Sequence, residues 1–219
     1  MAIIDNSGGQ VIVEAGARVE RTAVLIGPCT IERNAYIGHY AVIGAAPQHH
    51  GYYPSPLNGK RANIGVLINR GATVREHCQV HQGILGPTII GRDALVMAGS
   101  HVSHDSVVGH GSTLATNTIL GGHTTIAENV TFGQAVVTHP WVIIGEHAMI
   151  GLNSSVIKDV MPYEKVAGCP AKTIGMNTGP GGEKKDWTPD DIAPIVWEHW
   201  DALLEQRIEE REWMKELKK

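Results

Sequence analysis

From Val13 onward an apolar side chain returns at every sixth residue, at Val13, Val19, Leu25, Ile31, Ile37 and Ile43. Two places ahead of each stands a small or slim residue: Val11, Ala17, Ala23, Cys29, Ala35 and Ala41. The register lapses at Ala45, returns at Ile68, Val74 and Val80 behind Val66, Ala72 and Cys78, and lapses again briefly. It then runs from Ile90 through Val96, Val102, Val108, Leu114, Leu120, Ile126, Phe132, Thr138, Ile144 and Ile150 to Val156. So short and regular a period confines the chain to a solenoid. Six-residue steps with two inward positions make short strands joined at corners, and three steps close a coil that stacks on the next at about 4.8 Å, a parallel β-helix. The composition agrees with an all-β solenoid, since 26 glycines, a single Phe and 5% aromatic residues suit tight corners better than a bulky core.

Strand alternation then assigns a direction to each side chain. His101 precedes inward Val102 and points outward, while His104 and His110 each follow an inward residue by two and sit at corners facing solvent or a neighbouring subunit. A coil of three hexapeptides sets Gly122 over His104 and His123 over Asp105, with Pro140 and Trp141 one coil further. His81, His110 and His147 read as surface or interface residues, and Cys29 and Cys78 as buried free thiols. An imidazole beside a carboxylate accepts a proton near neutral pH, and a glycine N–H can approach a developing oxyanion closely. His104, Asp105 and Gly122 therefore form a candidate catalytic set, with no metal expected.

The interruptions organise the rest. Residues 45–63, rich in Pro, Gly and Tyr, read as a loop projecting from the β-helix, and a shorter break lies around Ile84 to Thr88. The β-helix domain is taken as 1–165, followed by a Pro- and Gly-marked linker at 166–186 and a C-terminal helix at 187–219. That helix opens with Thr188 as N-cap, Pro189 at its first position and Asp191 three after the cap, and carries an apolar stripe at Ile192, Ile195, Trp200, Leu203 and Ile208. A net charge of -4 offers no basic surface to nucleic acid, and no run of apolar residues is long enough for a membrane span or signal peptide, so a cytoplasmic protein is expected. Three scattered cysteines make neither a disulfide framework nor a metal knuckle.

Specific strings narrow the class further: Pro47-Gln48, REHCQVHQG at 75–83, HVSHDSVVG at 101–109, LATNTILGGHTTI at 114–126 and IIGEHAMIGLNSSVIKDV at 143–160. Through them the chain resembles, from about residue 11 to 165, the UDP-N-acetylglucosamine O-acyltransferases of lipid A biosynthesis. The resemblance implies a left-handed coil, against the usual hand of parallel crossovers. It also implies a homotrimer with sites between subunits, where a sugar hydroxyl attacks an acyl thioester. His104 takes the position of the general base, Asp105 that of its partner and Gly122 that of the oxyanion donor. His101, His123 and His139 match substrate-lining histidines, and Gln48 completes the Pro-Gln pair.

The departures bear on substrates. His49 stands where the family has an acidic residue, Pro140 where it has Gln, and Leu152 where a glycine leaves room for a long acyl chain. The ending VAGCPAK, with Lys172, is similar to that of acetyltransferases using coenzyme A. The family's basic C-terminal segment is not recognisable in 173–219. The expected activity is transfer of a short or medium acyl group to a hydroxyl or amine of a nucleotide-linked or other sugar. The donor would be acyl-coenzyme A or an acyl carrier protein thioester, with no tightly bound cofactor. Two rival readings are a γ-class carbonic-anhydrase-like zinc enzyme and a non-catalytic trimeric scaffold. His81 fits the zinc set, but His101 and His104 are three apart where that family's ligands are five apart.

Overall fold

The structure, a computed structural model, describes residues 2–49 and 64–177. The chain divides into two units, 1–177 and 178–219, and all of the second lies outside the described residues, as does the expected helix at 187–219. Every third strand stacks on its predecessor, giving three parallel sheets of eight, seven and nine strands wound into a left-handed β-helix; the last strand of the third sheet alone runs antiparallel. The repeat explains the register: Val102 faces Leu120 and Ile119 faces Val137, each pair 18 positions apart. Two coils are longer. Ile43 faces Val80 across 37 positions because residues 45–63 intervene, and Val80 faces Val102 across 22, so four residues are inserted there.

The inward column is the core. Leu25, Ile31, Ile37, Ile43, Ile68, Ile90, Leu114, Leu120, Ile126, Phe132, Ile144 and Ile150 are fully buried, each contributing roughly 1.5–3 kcal/mol. Val13 alone of the predicted column stays exposed, because the first coil has no coil beneath it. The second inward column changes from alanine to hydroxyl residues in the upper coils. Ser112 and Thr118 are buried there and donate to the corner carbonyls of Ala127 and Ala115 at 2.8 and 2.7 Å. Cys29 and Cys78 are buried as expected, and burial pushes both thiols up to about 11, which keeps them inert.

The described part of the expected linker is ordered backbone. Glu164–Ala167 and Lys172–Met176 pair antiparallel and continue the third sheet past the last coil. Among the described residues no helix is long and apolar enough to cross a membrane.

Candidate active site

His104 and Asp105 occupy the corner between strands His101–Val102 and Val107–Val108. Asp105 holds a left-handed backbone, φ 58°, and its N–H donates to Thr88 Oγ1 at 2.9 Å. The four-residue insertion closes on its carboxylate. The N–H groups of Ile84, Leu85 and Gly86 donate to Oδ1 at 2.9, 2.6 and 2.9 Å, and that of Ile84 also reaches Oδ2 at 3.0 Å. Gly83 must lack a side chain for this turn to form, since a Cβ there would lie 1.6 Å from the Gly86 carbonyl oxygen. Burial opposes ionisation of Asp105, but the hydrogen bond from His104 and the amides of Gly86 and Leu85 outweigh it and hold the carboxyl below its usual range.

The other acceptor site of Oδ2 takes His104 Nδ1 at 2.7 Å. An ionised carboxylate only accepts, so Nδ1 carries the proton and Nε2 keeps a bare lone pair. The sequence placed this corner facing solvent or a neighbouring subunit. Within the chain the His104 and Asp105 side chains are 12% and 5% exposed: the inserted amides close on Asp105, and Gly122 and His123 of the next coil lie against the His104 ring.

The coil above completes the site as the period requires. Gly122 sits against the His104 ring, and a Cβ there would lie 2.6 Å from Cε1 and 2.7 Å from Nε2. The Gly122 N–H makes no hydrogen bond among the described residues. His123 lies with Nε2 3.8 Å from Asp105 Oδ2, edge-on to His104, and is stacked on Trp141 at 3.8 Å. Burial, reinforced by His104 and His49 and opposed by Asp105, lowers His123 to about 4, so its ring is neutral near pH 7.

His101 bonds Ser103 Oγ at 3.1 Å and is likewise lowered to about 4, by burial and then by His81 and His104. His81 packs against it, ring centroids 4.7 Å apart. Expected at the surface or an interface, His81 is buried, and its Nδ1–H donates to the carbonyl of Ala46, just past the end of the repeat, at 2.6 Å. Its Nε2 is the one buried side-chain nitrogen or oxygen among the described residues without a partner.

The other predicted site residues divide. His49 is brought in, its ring edge-on to His104 at 6.1 Å. Gln48 beside it is exposed. His139, also exposed, lies one coil above Gly121 and bonds the Pro140 carbonyl at 2.9 Å. Leu152, 72% exposed, sits at the corner after Met149–Ile150, and Lys172 on the terminal hairpin. Within one chain neither contacts the His104 cluster. Sequence reasoning missed the inserted amides and His81, although the four-residue slip of register at this coil was a readable signal. His104, Asp105 and His123 present donor atoms within 4.8 Å of one another, a spacing some metal sites share. Here the Asp105 oxygens accept four hydrogen bonds from the N–H groups of residues 84–86 and a fifth from His104 Nδ1. Chemically the arrangement offers a bare imidazole nitrogen beside an unengaged backbone N–H, a base and an oxyanion donor on one side.

No family model matches the chain. Curated relatives do. The acyl-[acyl-carrier-protein]–UDP-N-acetylglucosamine O-acyltransferase of Burkholderia lata is 30% identical over 162 residues, covering 73% of this chain and 59% of the relative. That of Burkholderia thailandensis is 31% identical with the same coverage. The chain thus spans 59% of the length of these curated relatives. Among solved structures, the UDP-N-acetylglucosamine acyltransferase from Campylobacter jejuni matches at 27% identity and TM-score 0.67 over 89% of this chain and 80% of that one. The enzyme from Moraxella catarrhalis matches at 25% identity and TM-score 0.61 over 95% and 92%. The fold agreement extends to the Bacteroides fragilis enzyme, at 23% identity and TM-score 0.72 over 89% and 80%.

Proposed function

We infer that this chain, a hexapeptide-repeat protein related to the UDP-N-acetylglucosamine O-acyltransferases, is an acyltransferase. It moves an acyl group from a thioester, on coenzyme A or acyl carrier protein, to a hydroxyl or amine of a sugar, and the nucleotide-linked sugar is the acceptor of choice. The observation that carries this reading is the His104 ring, held through Nδ1 by Asp105 at 2.7 Å with its Nε2 against Gly122.

In this reading His104 Nε2 takes the proton from the attacking hydroxyl or amine, and Asp105 stabilises the imidazolium that forms. The tetrahedral oxyanion is met by the Gly122 N–H, and collapse expels the thiolate, which recovers the proton from His104. His101 and His123, both lowered to about 4, keep neutral rings that offer directional hydrogen bonds to an acceptor, and His49 stands edge-on to His104. Pro140, which has no N–H to give, and His49 point to an acceptor held differently from that of the named relatives. Leu152 and Lys172, remote from His104 within one chain, belong to the site only if a neighbouring subunit of a homotrimer presents them.

The deciding experiment is a transfer screen pairing acyl-coenzyme A and acyl carrier protein thioesters of increasing length with UDP-sugars bearing hydroxyl or amine acceptors. Sedimentation gives the oligomeric state, and elemental analysis the zinc content. Transfer that disappears in His104→Ala supports the reading. A wild-type protein inert to every pair, or one carrying stoichiometric zinc, overturns it, the latter in favour of a γ-class carbonic-anhydrase-like activity.

A further inference from the structure

Thr138 breaks the pattern of its own column. From Ile90 to Val156 every other inward sixth residue is aliphatic or Phe132, yet here a hydroxyl is buried in the core directly above the site. A buried hydroxyl is costly unless it is bonded, and this one displaces a bond of the regular ladder. At equivalent corner positions Gly109, Ala115 and Gly133 donate their N–H groups to the backbone carbonyls of Ile126, Phe132 and Ile150. Gly121 instead donates to Thr138 Oγ1 at 3.1 Å.

The remaining directions follow by elimination. Thr124 Oγ1 lies 2.7 Å from the Gly121 carbonyl oxygen and 3.0 Å from Thr138 Oγ1. A carbonyl only accepts, so the Thr124 hydroxyl proton goes to it, and the Thr138 proton is left to bond Thr124 Oγ1. Three hydrogen bonds thus close a ring through Gly121, and Ser106 Oγ adds a second donor to the same carbonyl at 3.2 Å. Ser106, Thr124 and Thr138 are all buried, so the Gly121 carbonyl faces the coil interior. In a trans peptide the next N–H points the opposite way. That N–H belongs to Gly122 and is therefore directed outward from the coil, at the residue whose Cα faces the His104 ring.

We propose that Thr138 and Thr124 are positioning residues that lock the Gly121–Gly122 peptide, fixing the Gly122 N–H as the oxyanion donor beside His104. The proposal rests on the acyl-transfer reading for its consequence but not for its geometry. The neighbouring corner supplies a matched control. There Thr118 and Ser100 hold the Ala115 carbonyl at 2.7 and 3.2 Å in the same way, but the third link is absent because Phe132 stands where Thr138 does.

The test compares Thr138→Val, Thr124→Val and Thr138→Ser with the control Thr118→Val, using transfer kinetics and glycine-selective ¹⁵N spectra of the full chain. Loss of an oxyanion donor costs ~10²–10³ in kcat, so a donor left in place but loosened should cost on the order of 10-fold. Thr138→Val or Thr124→Val, whichever remains folded, should lower kcat by that factor with KM near wild type. Either should also shift the Gly122 amide resonance and speed its exchange. Thr138→Ser should stay close to wild type, and Thr118→Val should lower thermal stability without touching kcat or that resonance. An unmoved Gly122 resonance in both site variants, or an equal loss of kcat in Thr118→Val, overturns the proposal. If the wild-type protein transfers nothing, the acyl-transfer reading fails by itself, and the amide resonance still decides whether the hydroxyl ring positions Gly122.

Discussion

Two kinds of corner in this β-helix make the same left-handed turn with different residues. At two of the three corners the turn residue is repeatedly asparagine, as at Asn117 and Asn129 with φ 61° and 55°. Each places Oδ1 against a glycine of the coil below, Gly99 and Gly111, where a Cβ would come within 2.4 and 2.5 Å of it. Asparagine tolerates this conformation and bonds locally, so these corners are quiet. At the third corner the same position is filled by Asp105, His123 and Trp141, with φ 58°, 59° and 68°. A tryptophan there is costly, and strain of this kind collects where side-chain ends must converge. Stacking by itself does not mark the site, because Tyr40 on His77 and His147 on Tyr163 stack at the quiet corners too. The distinguishing part is Asp105 at the foot of the stack, gripped by the inserted amides of residues 84–86. The repeat therefore supplies the geometry, and one insertion sets this corner apart from the other two.

The contrast would break most visibly at His104. His104→Ala should reduce turnover by ~10² to 10⁴ while the β-helix stays folded, since the side chain contributes nothing to the coil interior. Turnover near the wild-type level, measured with the true substrates, would remove the base from the mechanism. Trp141→Asn installs at the active corner the residue of the quiet ones. Stability should hold or rise, yet with the His123 stack gone turnover should fall by up to ~10²-fold. The reciprocal change, Asn129→Ala at a quiet corner, should cost about 1 kcal/mol of stability and leave kcat alone. If both changes affected kcat equally, the corners would not be functionally distinct.

Leu152 tests the corner that carries an exposed leucine. If it faces the acyl chain across a subunit boundary, Leu152→Gly should lengthen the preferred thioester, by several-fold in kcat/KM per carbon at roughly 0.8 kcal/mol per methylene. An unmoved length profile would assign Leu152 to a subunit contact. The smallest effect is in acid. His101 and His123, lowered from 6.5 to about 4, bind protons more readily when unfolded. Their contribution is therefore complete above about pH 6.5 and is lost as pH falls to about 4, with Asp105 adding loss below its ordinary range. Thermal denaturation across that window should show a falling melting temperature, and replacing both histidines by Gln should flatten the slope above pH 4.

Much of this was legible in the chain. A period of six fixes which side chains are inward, and a coil of three periods fixes which residues stack, so Gly122 over His104 and His123 over Asp105 followed without coordinates. Thr138 was also readable as the one hydroxyl in an apolar column, though not its purpose. What the period could not reveal was anything outside it. The insertion near Ile84 has no repeat to set its direction, and only its folded path turned three amides onto Asp105. His81 read as a surface or interface residue because its partner, the Ala46 carbonyl, lies beyond Ala45, where the register lapses. A repeating sequence determines its own lattice, because each residue's environment recurs one coil later. The tautomer of a histidine, the ionisation of a carboxylate and the direction of one peptide N–H depend on non-repeating contacts across space, and the tertiary structure alone decided those.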